Sequence, residues 1–83
     1  MGGIMVVGQI VCSRAGKDKG CFSVIMKITE NRVYTANGKS VKLKKPKAKN
    51  PKHLSLTKTV LEQKQLLTNK RLRKALATFT NLK

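Results

Sequence analysis

The stretch that decides the fold is GQIVCSRAGKDKGCFSVI, residues 8–25. Residues 8–14 read as a first strand, and residues 21–28 read as a second strand because apolar and polar residues alternate along them. The side chains predicted to face the core are Phe22, Val24, Met26 and Ile28, and those predicted to face away are Cys21, Ser23, Ile25 and Lys27. The segment between the strands is dense in Gly, Lys and Asp, which predicts an exposed hairpin loop.

Three more strands are predicted downstream, over residues 32–36, 40–44 and 53–57. The Asn37-Gly38 pair between the third and fourth is typical of a type I′ hairpin turn. Alternation in the fourth predicts that Val41 and Leu43 point inward while Lys42 and Lys44 point outward, and alternation in the fifth turns Leu54 and Leu56 inward. Residues 45–52 contain two prolines and no apolar anchor, so they are predicted to form an extended, mobile basic loop and not a central strand.

The C-terminal part changes from a period of two to a helical period. Thr68 is a good N-cap, and the apolar side chains that follow are spaced for one helix face: Leu72, Ala75, Leu76 and Phe79. A helix is therefore predicted at about 69–79. Residues 58–67 have no clean period and read as a connector with room for one helical turn.

Five short strands on fewer than 60 residues are too few for two packed sheets. Closing the strands on themselves removes the exposed sheet edges, so a small five-stranded barrel with a short C-terminal helix is predicted. The fold class is mainly β. The expected division is a barrel over residues 4–58, including the basic loop at 44–52, followed by the connector and helix over 59–83.

The charge is extreme, with 19 Lys and Arg against three Asp and Glu, or a net +16. A chain this basic repels itself unless a polyanion neutralises it, and nucleic acid is the usual polyanion for a small cationic domain. An anionic membrane is the second candidate, but it calls for a basic amphipathic helix with bulky apolar anchors or a lipid signal. The chain contains no Trp, and position 6 is Val6, where a myristoylation motif calls for Ser or Thr. No run approaches the roughly 20 apolar residues of a membrane span, so no membrane partner is expected.

Enzymatic chemistry has little support in the sequence. The three acids fall in a loop, a turn and a connector, and the sequence places no histidine near either cysteine. Cys12, Cys21 and His53 are too few ligands for a closed zinc site. We therefore expect no catalytic residue, no metal and no cofactor. The two cysteines are expected to be reduced, although a bridge across the first hairpin remains an alternative.

Residues 8–25 resemble a KOW motif, through Gly8, Ile10-Val11, Gly16, Lys19-Gly20 and the apolar alternation that follows. The resemblance implies an SH3-like barrel. Over nearly the whole chain, the sequence is similar to bacterial KOW-domain RNA-binding proteins, and through them to archaeal and eukaryotic large-subunit ribosomal proteins that begin with a KOW barrel. The residues that carry this wider resemblance are Asn37-Gly38-Lys39, the lysine-rich run over 42–52 with His53-Leu54, and residues 68–76.

The resemblance implies a cytoplasmic, ribosome-associated protein that binds structured RNA, in particular ribosomal RNA, without catalysis. The residues themselves point to phosphate contacts, because Gly16 and Gly20 let the loop backbone approach a ligand and lysines act as flexible point charges. The predicted RNA-binding residues are Arg14, Gly16, Lys17, Lys19, Gly20, Lys39, Lys42, Lys44, Lys45, Lys47, Lys49, Lys52, Lys70 and Arg71.

Base readout is expected to be poor, since sequence-specific RNA binding normally stacks bases on aromatic side chains. Tyr34 is the one plausible exposed aromatic, and it reads either as part of the barrel wall or as a stacking platform. Two other functions stay open: a protein-interaction module that binds transcription or translation factors, including ribosomal proteins, and a nucleoid-type DNA binder. The free protein is expected to be a monomer.

Overall fold

The structure, a computed structural model of the protein, describes residues 5–14, 16 and 19–81. Within these residues the chain forms β1 (Gln9–Ser13), β2 (Phe22–Ile28), β3 (Val33–Ala36), β4 (Lys47–Lys49), β5 (Leu54–Val60) and helix α1 (Asn69–Asn81). Short 3-10 turns lie at Pro51–His53 between β4 and β5 and at Gln63–Leu66 between β5 and α1. The mainly β class with one C-terminal helix is confirmed.

The strands form one five-stranded antiparallel sheet in the order β4-β3-β2-β1-β5. The prediction of a closed barrel is not confirmed, because β4 and β5 lie at opposite edges and are not hydrogen-bonded to each other in the described part of the chain. Four antiparallel steps separate the two edge strands, so β4 and β5 run in the same direction. Only residues 50–53 connect them.

Both faces of the sheet are covered. On one face, a cross-strand row of Ile10, Val24 and Ala36 packs against Leu72 and Leu76 of α1, and all five are buried. On the other face, β1, β2, β3 and β5 contribute a second buried cluster, made of Val11, Ile25, Val33 and Leu54. The helix therefore completes the first core, and the buried residues of the second all come from the sheet, with Met5 and Leu56 packed against them.

Because both faces of the sheet are buried, the predicted assignment of β2 side chains to a core face and a polar face is wrong in part. Val24 is buried as predicted, but Ile25, which was assigned to the more polar face, is also fully buried. Ile28, which was predicted to face the core, is 42% exposed. The register against β3 slips between Ile25 and Lys27, and such a bulge reverses the alternation for the residues beyond it.

The predicted fourth strand over residues 40–44 is wrong, and part of the extended loop predicted for 45–52 forms the edge strand β4 instead. The side-chain oxygen Oδ1 of Asn37 accepts hydrogen bonds from the backbone N–H groups of Lys39 (2.9 Å) and Val41 (3.0 Å), so these donors are not available to a sheet ladder. The strand forms later, after Pro46. There it pairs only with β3, as an edge strand next to a proline should.

The Asn37-Gly38 pair does turn the chain, but the turn is not type I′. That turn needs positive φ at both central residues. Gly38 has φ of 75°, whereas no non-glycine residue among those described has positive φ.

The remaining predicted elements agree with the structure. Strands one, two, three and five are present within one residue of their predicted starts, and β5 extends further, to Val60. Thr68 caps α1, since its Oγ1 accepts a hydrogen bond of 3.1 Å from the N–H of Arg71. The helix continues to Asn81, two residues beyond its predicted end. No helix in the described chain is long and apolar enough to span a membrane.

Candidate nucleic-acid interface

The loop between β1 and β2 is a narrow turn built on two glycines. The N–H of Gly20 donates to the carbonyl of Ser13 at 2.8 Å, and the N–H of Lys19 donates to the carbonyl of Gly16 at 3.2 Å. Gly16 and Gly20 have φ of 79° and 87°, and within the described chain no atom beyond their chain neighbours lies within 4 Å of a Cβ built on either. The backbone is thus open to close approach by a ligand. Lys17, a predicted contact, lies outside the described residues.

Arg14 is tied by its backbone to the turn before β5. Its N–H donates a hydrogen bond of 2.7 Å to the carbonyl of His53. His53 is exposed and belongs to the 3-10 turn at Pro51–His53, not to the strand where it was predicted. The same turn carries exposed Lys52, whose N–H is capped by Oδ1 of Asn50 at 3.0 Å. The structure therefore brings together Arg14 and Lys52, which are far apart in sequence.

The segment after β3 keeps the predicted alternation of side chains although it is not a strand. Val41 and Leu43 are half-buried and pack against the core beneath α1. Lys42, Lys44 and Lys45 are exposed, and a turn with the Lys45 N–H donating to the Lys42 carbonyl (3.1 Å) holds them at the surface. Burial of the apolar partners thus directs these three ammonium groups outward.

Strand β4 carries the basic segment towards the β1–β2 loop. Lys47 is exposed and is paired with Thr35, and Lys49 is half-buried and is paired with Val33. Lys49 lines a small cleft together with Ser13 and Cys21, at the base of the β1–β2 loop. The cleft therefore places Lys49 at the base of the loop that contains the other predicted basic region, residues 14–20.

The first turn of α1 docks on the segment after β3. A Cβ built on Gly38 would overlap the backbone carbonyl oxygen of Asn69 and would lie 3.2 Å from the backbone nitrogen of Arg73. The side-chain Oδ1 of Asn69 accepts a hydrogen bond of 2.8 Å from the N–H of Leu43. Exposed Lys39, next to Gly38, is therefore close to the helix.

The same contact adds a residue that the sequence did not single out. Arg73 is exposed, and its backbone nitrogen lies against Gly38, the residue before Lys39, so Arg73 is grouped with the basic residues of this segment. The long-range contact between Gly38 and α1 creates this grouping. No local pattern in the sequence indicates it.

The two cations predicted at the start of the helix do not act as a pair. Lys70 is exposed at the surface of the first turn. Arg71 turns towards the connector, where its Nη1 lies 3.4 Å from the carbonyl oxygen of Lys64. Arg71 thus lines a groove between the connector and the helix, and it is assigned to that groove below.

Carboxylates do not offset the lysines within residues 37–52, because that part of the sequence contains none. Glu30 lies in the turn between β2 and β3, beside Asn50 and Lys52. Glu62 lies in the connector, 3.9 Å from the ammonium of Lys64. Glu30 thus lies next to the end of the lysine-rich segment, at Lys52, and the segment supplies no carboxylate of its own, so it keeps a positive field.

Tyr34 is half-buried, and one of its ring faces is occupied. The ammonium of Lys27 lies 5.8 Å from the ring centroid, within the range of a cation–π contact. On the backbone, Tyr34 lies between its register partners Lys27 and Ala48. This geometry agrees with the interpretation of Tyr34 as a wall residue.

Cys12 and Cys21 are free thiols. Cys12 is the register partner of Phe22, so Cys21, the residue before Phe22, projects to the opposite face of the hairpin. This argues against a bridge across the hairpin. In residues 5–14, 16 and 19–81, no three His, Cys, Asp or Glu side chains are grouped closely enough to hold a metal ion.

In comparisons with known proteins, no family model matches the chain, and no curated protein matches it. The function is therefore argued from the surface itself.

Proposed function

We propose that this protein is a non-catalytic RNA-binding protein that associates with the ribosome and binds structured ribosomal RNA through phosphate contacts. The observation that carries the proposal is the joining of two basic regions into one surface. Lys49 meets the base of the β1–β2 loop at a shared cleft, and the backbone of Arg14 is bonded beside Lys52. The segment that supplies the lysines contains no carboxylate.

Three regions form this surface, which we call the basic surface. The first is the β1–β2 loop with Arg14, Gly16, Lys17, Lys19 and Gly20. The second is the lysine-rich segment with Lys39, Lys42, Lys44, Lys45, Lys47, Lys49 and Lys52. The third is the start of α1, with Lys70 and the added Arg73. Lysines bind phosphates as flexible point charges, so such a surface recognises the shape and charge of a folded RNA and not its bases.

The sheet geometry favours an SH3-like barrel of the KOW type. In a flat sheet, the edge strands β4 and β5 would be about 19 Å apart, four strand spacings of about 4.8 Å. They run in the same direction, and a connection of that kind across a flat sheet takes a dozen or more residues. Here only residues 50–53 are available, three of them in a 3-10 turn that rises about 2 Å per residue. The sheet must therefore be strongly coiled, as in an open barrel.

The cleft at Lys49 is a second sign of this coiling. Ser13 belongs to β1 and Lys49 to β4, with two strands between them, yet both line the same small cleft. Such an approach is expected on the concave side of a coiled sheet. The KOW resemblance of residues 8–25 and the coiled sheet are independent lines of support for the barrel.

Association with the ribosome is tested by sedimenting a cell lysate through sucrose gradients at low and at high salt, with the protein followed by immunoblot. We expect co-migration with the large subunit at low salt. Loss of co-migration as salt rises identifies a peripheral binder held by phosphate contacts, and retention at high salt identifies an integral ribosomal protein. Migration only at the top of both gradients contradicts the ribosomal assignment.

A further inference from the structure

A groove between the connector and helix α1 lies apart from the residues of the basic surface. It is open, with a volume of about 470 Å³, within the range of sites that hold small ligands or a few side chains. Its apolar wall is formed by Leu61, Ala75 and Phe79. Lys64, Arg71 and Lys74 surround this wall.

The cations at the groove are largely uncompensated. The guanidinium of Arg71 extends towards the connector, with Nη1 at 3.4 Å from the Lys64 carbonyl oxygen. The nearby carboxylate of Glu62 faces Lys64 at 3.9 Å, with side chains 72% and 70% exposed, so solvent weakens that ion pair. The groove therefore offers an apolar wall within a positive field, which is complementary to an acidic ligand.

Two of the polar groups inside the groove are engaged within the protein. The hydroxyl of Thr78 donates to the Lys74 carbonyl at 3.0 Å, and Oε1 of Gln65 accepts from the Glu62 N–H at 2.9 Å. The ring of Phe79 packs edge to face with Phe22, at a centroid distance of 5.3 Å. Base recognition uses polar partners for the base edges and a flat stacking surface, from an aromatic ring or an arginine. The apolar wall and the engaged polar groups therefore favour apolar side chains over a base.

We propose that this groove is a docking site for an acidic segment of a partner protein, in which a few apolar side chains fill the groove and carboxylates face Lys64, Arg71 and Lys74. The apolar side chains provide the close fit, and the charge complementarity accelerates and orients the encounter. This site goes beyond the proposed RNA binding, and its residues apart from Arg71 are outside the predicted RNA-binding set.

The test uses the full chain and two synthetic peptides of about 12 residues, with fluorescence anisotropy as the readout. The first peptide alternates glutamate with leucine and phenylalanine. The second has the same charge but carries serine at every apolar position. Comparing the two separates docking in the groove from simple attraction to a protein of net charge +16.

Two matched variants locate the binding. Thr78→Trp fills the groove from an exposed helix position without changing the charge, and Ala77→Trp places the same bulk on the exposed neighbouring position outside the groove. We expect Thr78→Trp to lower the affinity for the apolar acidic peptide by at least about tenfold, the effect of losing an anchor contact. Ala77→Trp should leave its affinity unchanged, and the serine peptide should bind weakly to every form.

Equal affinity for the two peptides, or equal effects of the two variants, would overturn the proposal. A short single-stranded RNA that loses affinity through Thr78→Trp, while the peptide does not, would overturn it as well and would assign the groove to a base. Binding of a structured RNA should be the same for both variants. That control keeps a failure of the groove distinguishable from a failure of the RNA-binding proposal.

Discussion

The α-carbon of Gly38 lies against the backbone carbonyl oxygen of Asn69, the first residue of α1. Gly38 also has φ of 75°, a conformation that L side chains rarely adopt. Through this contact the segment after β3 packs against the start of the helix. Arg73 of the helix therefore lies next to the lysine-rich segment. Gly38 thus contacts the helix that packs on the hydrophobic core, and the same contact places Arg73 beside the basic surface.

The contact predicts a large penalty for a methyl group at position 38. Gly38→Ala should destabilise the protein by about 1–3 kcal/mol more than Gly16→Ala, because both residues have positive φ but only the Gly38 Cβ meets backbone atoms. Gly16→Ala alone should cost about 1 kcal/mol, from its positive φ. The free energy of unfolding in urea, measured by circular dichroism, compares the two. Equal losses would mean that the helix does not rest on Gly38.

A second prediction concerns the hydrogen bond between Asn69 and Leu43. Asn69→Ala removes the acceptor for the part-buried Leu43 N–H, so it should cost about 1–2 kcal/mol. Asn69→Asp keeps an acceptor oxygen and adds a negative charge at the helix N-terminus, which is favourable, so it should lose little or no stability. Thermal unfolding of the two variants provides the measurement. A loss in Asn69→Asp as large as in Asn69→Ala would exclude this role for the side chain.

A third prediction concerns Tyr34. If Tyr34 is a wall residue, Tyr34→Leu should change the affinity for a structured RNA by less than about twofold. Loss of a stacked base would instead cost about 1–3 kcal/mol. The dissociation constant is measured for wild type and variant after circular dichroism shows that both are folded. A large loss of affinity would show that RNA recognition uses the ring.

A fourth prediction concerns the thiols. Because Cys12 and Cys21 project to opposite faces of the β1–β2 hairpin, a mild oxidant should form no bridge between them in the folded monomer. Exposed Cys21 should react faster than half-buried Cys12 with a thiol reagent. Mass spectrometry of the treated protein measures both outcomes. An intramolecular disulfide formed under native conditions would contradict the hairpin register.

The sequence predicts most of the regular structure because most of it is encoded locally. The alternation around Val24, the helical spacing from Leu72 to Phe79 and the capping hydroxyl of Thr68 each specify an element without distant information. These elements are present as predicted. The prediction for Ile25 is wrong because the sheet is covered on both faces, and a period of two cannot distinguish one buried face from two.

The segment after β3 was misread for a different reason. Its alternation of Val41 and Leu43 with lysines is the pattern of a strand, but the side chain of Asn37 takes the N–H groups that a strand would use. The contact of this segment with Asn69 connects residues far apart in sequence, and it is what adds Arg73 to the basic surface. Local patterns predict charge and period, but not which distant elements meet.

The most direct test of RNA binding by the basic surface is the salt dependence of affinity for a structured RNA hairpin. Three proteins are compared: wild type, Lys42→Gln with Lys44→Gln, and the control Lys58→Gln with Lys64→Gln. The two variants lose equal charge from exposed lysines, but the control lysines lie on β5 and the connector, outside the basic surface.

We predict that the first variant binds more weakly and that its plot of log affinity against log salt is shallower by about 1.4–1.8, the change for two lost phosphate contacts. The control should keep the wild-type slope. Equal changes in both variants, or none in either, would contradict the account, because the RNA would then respond to net charge alone or bind elsewhere.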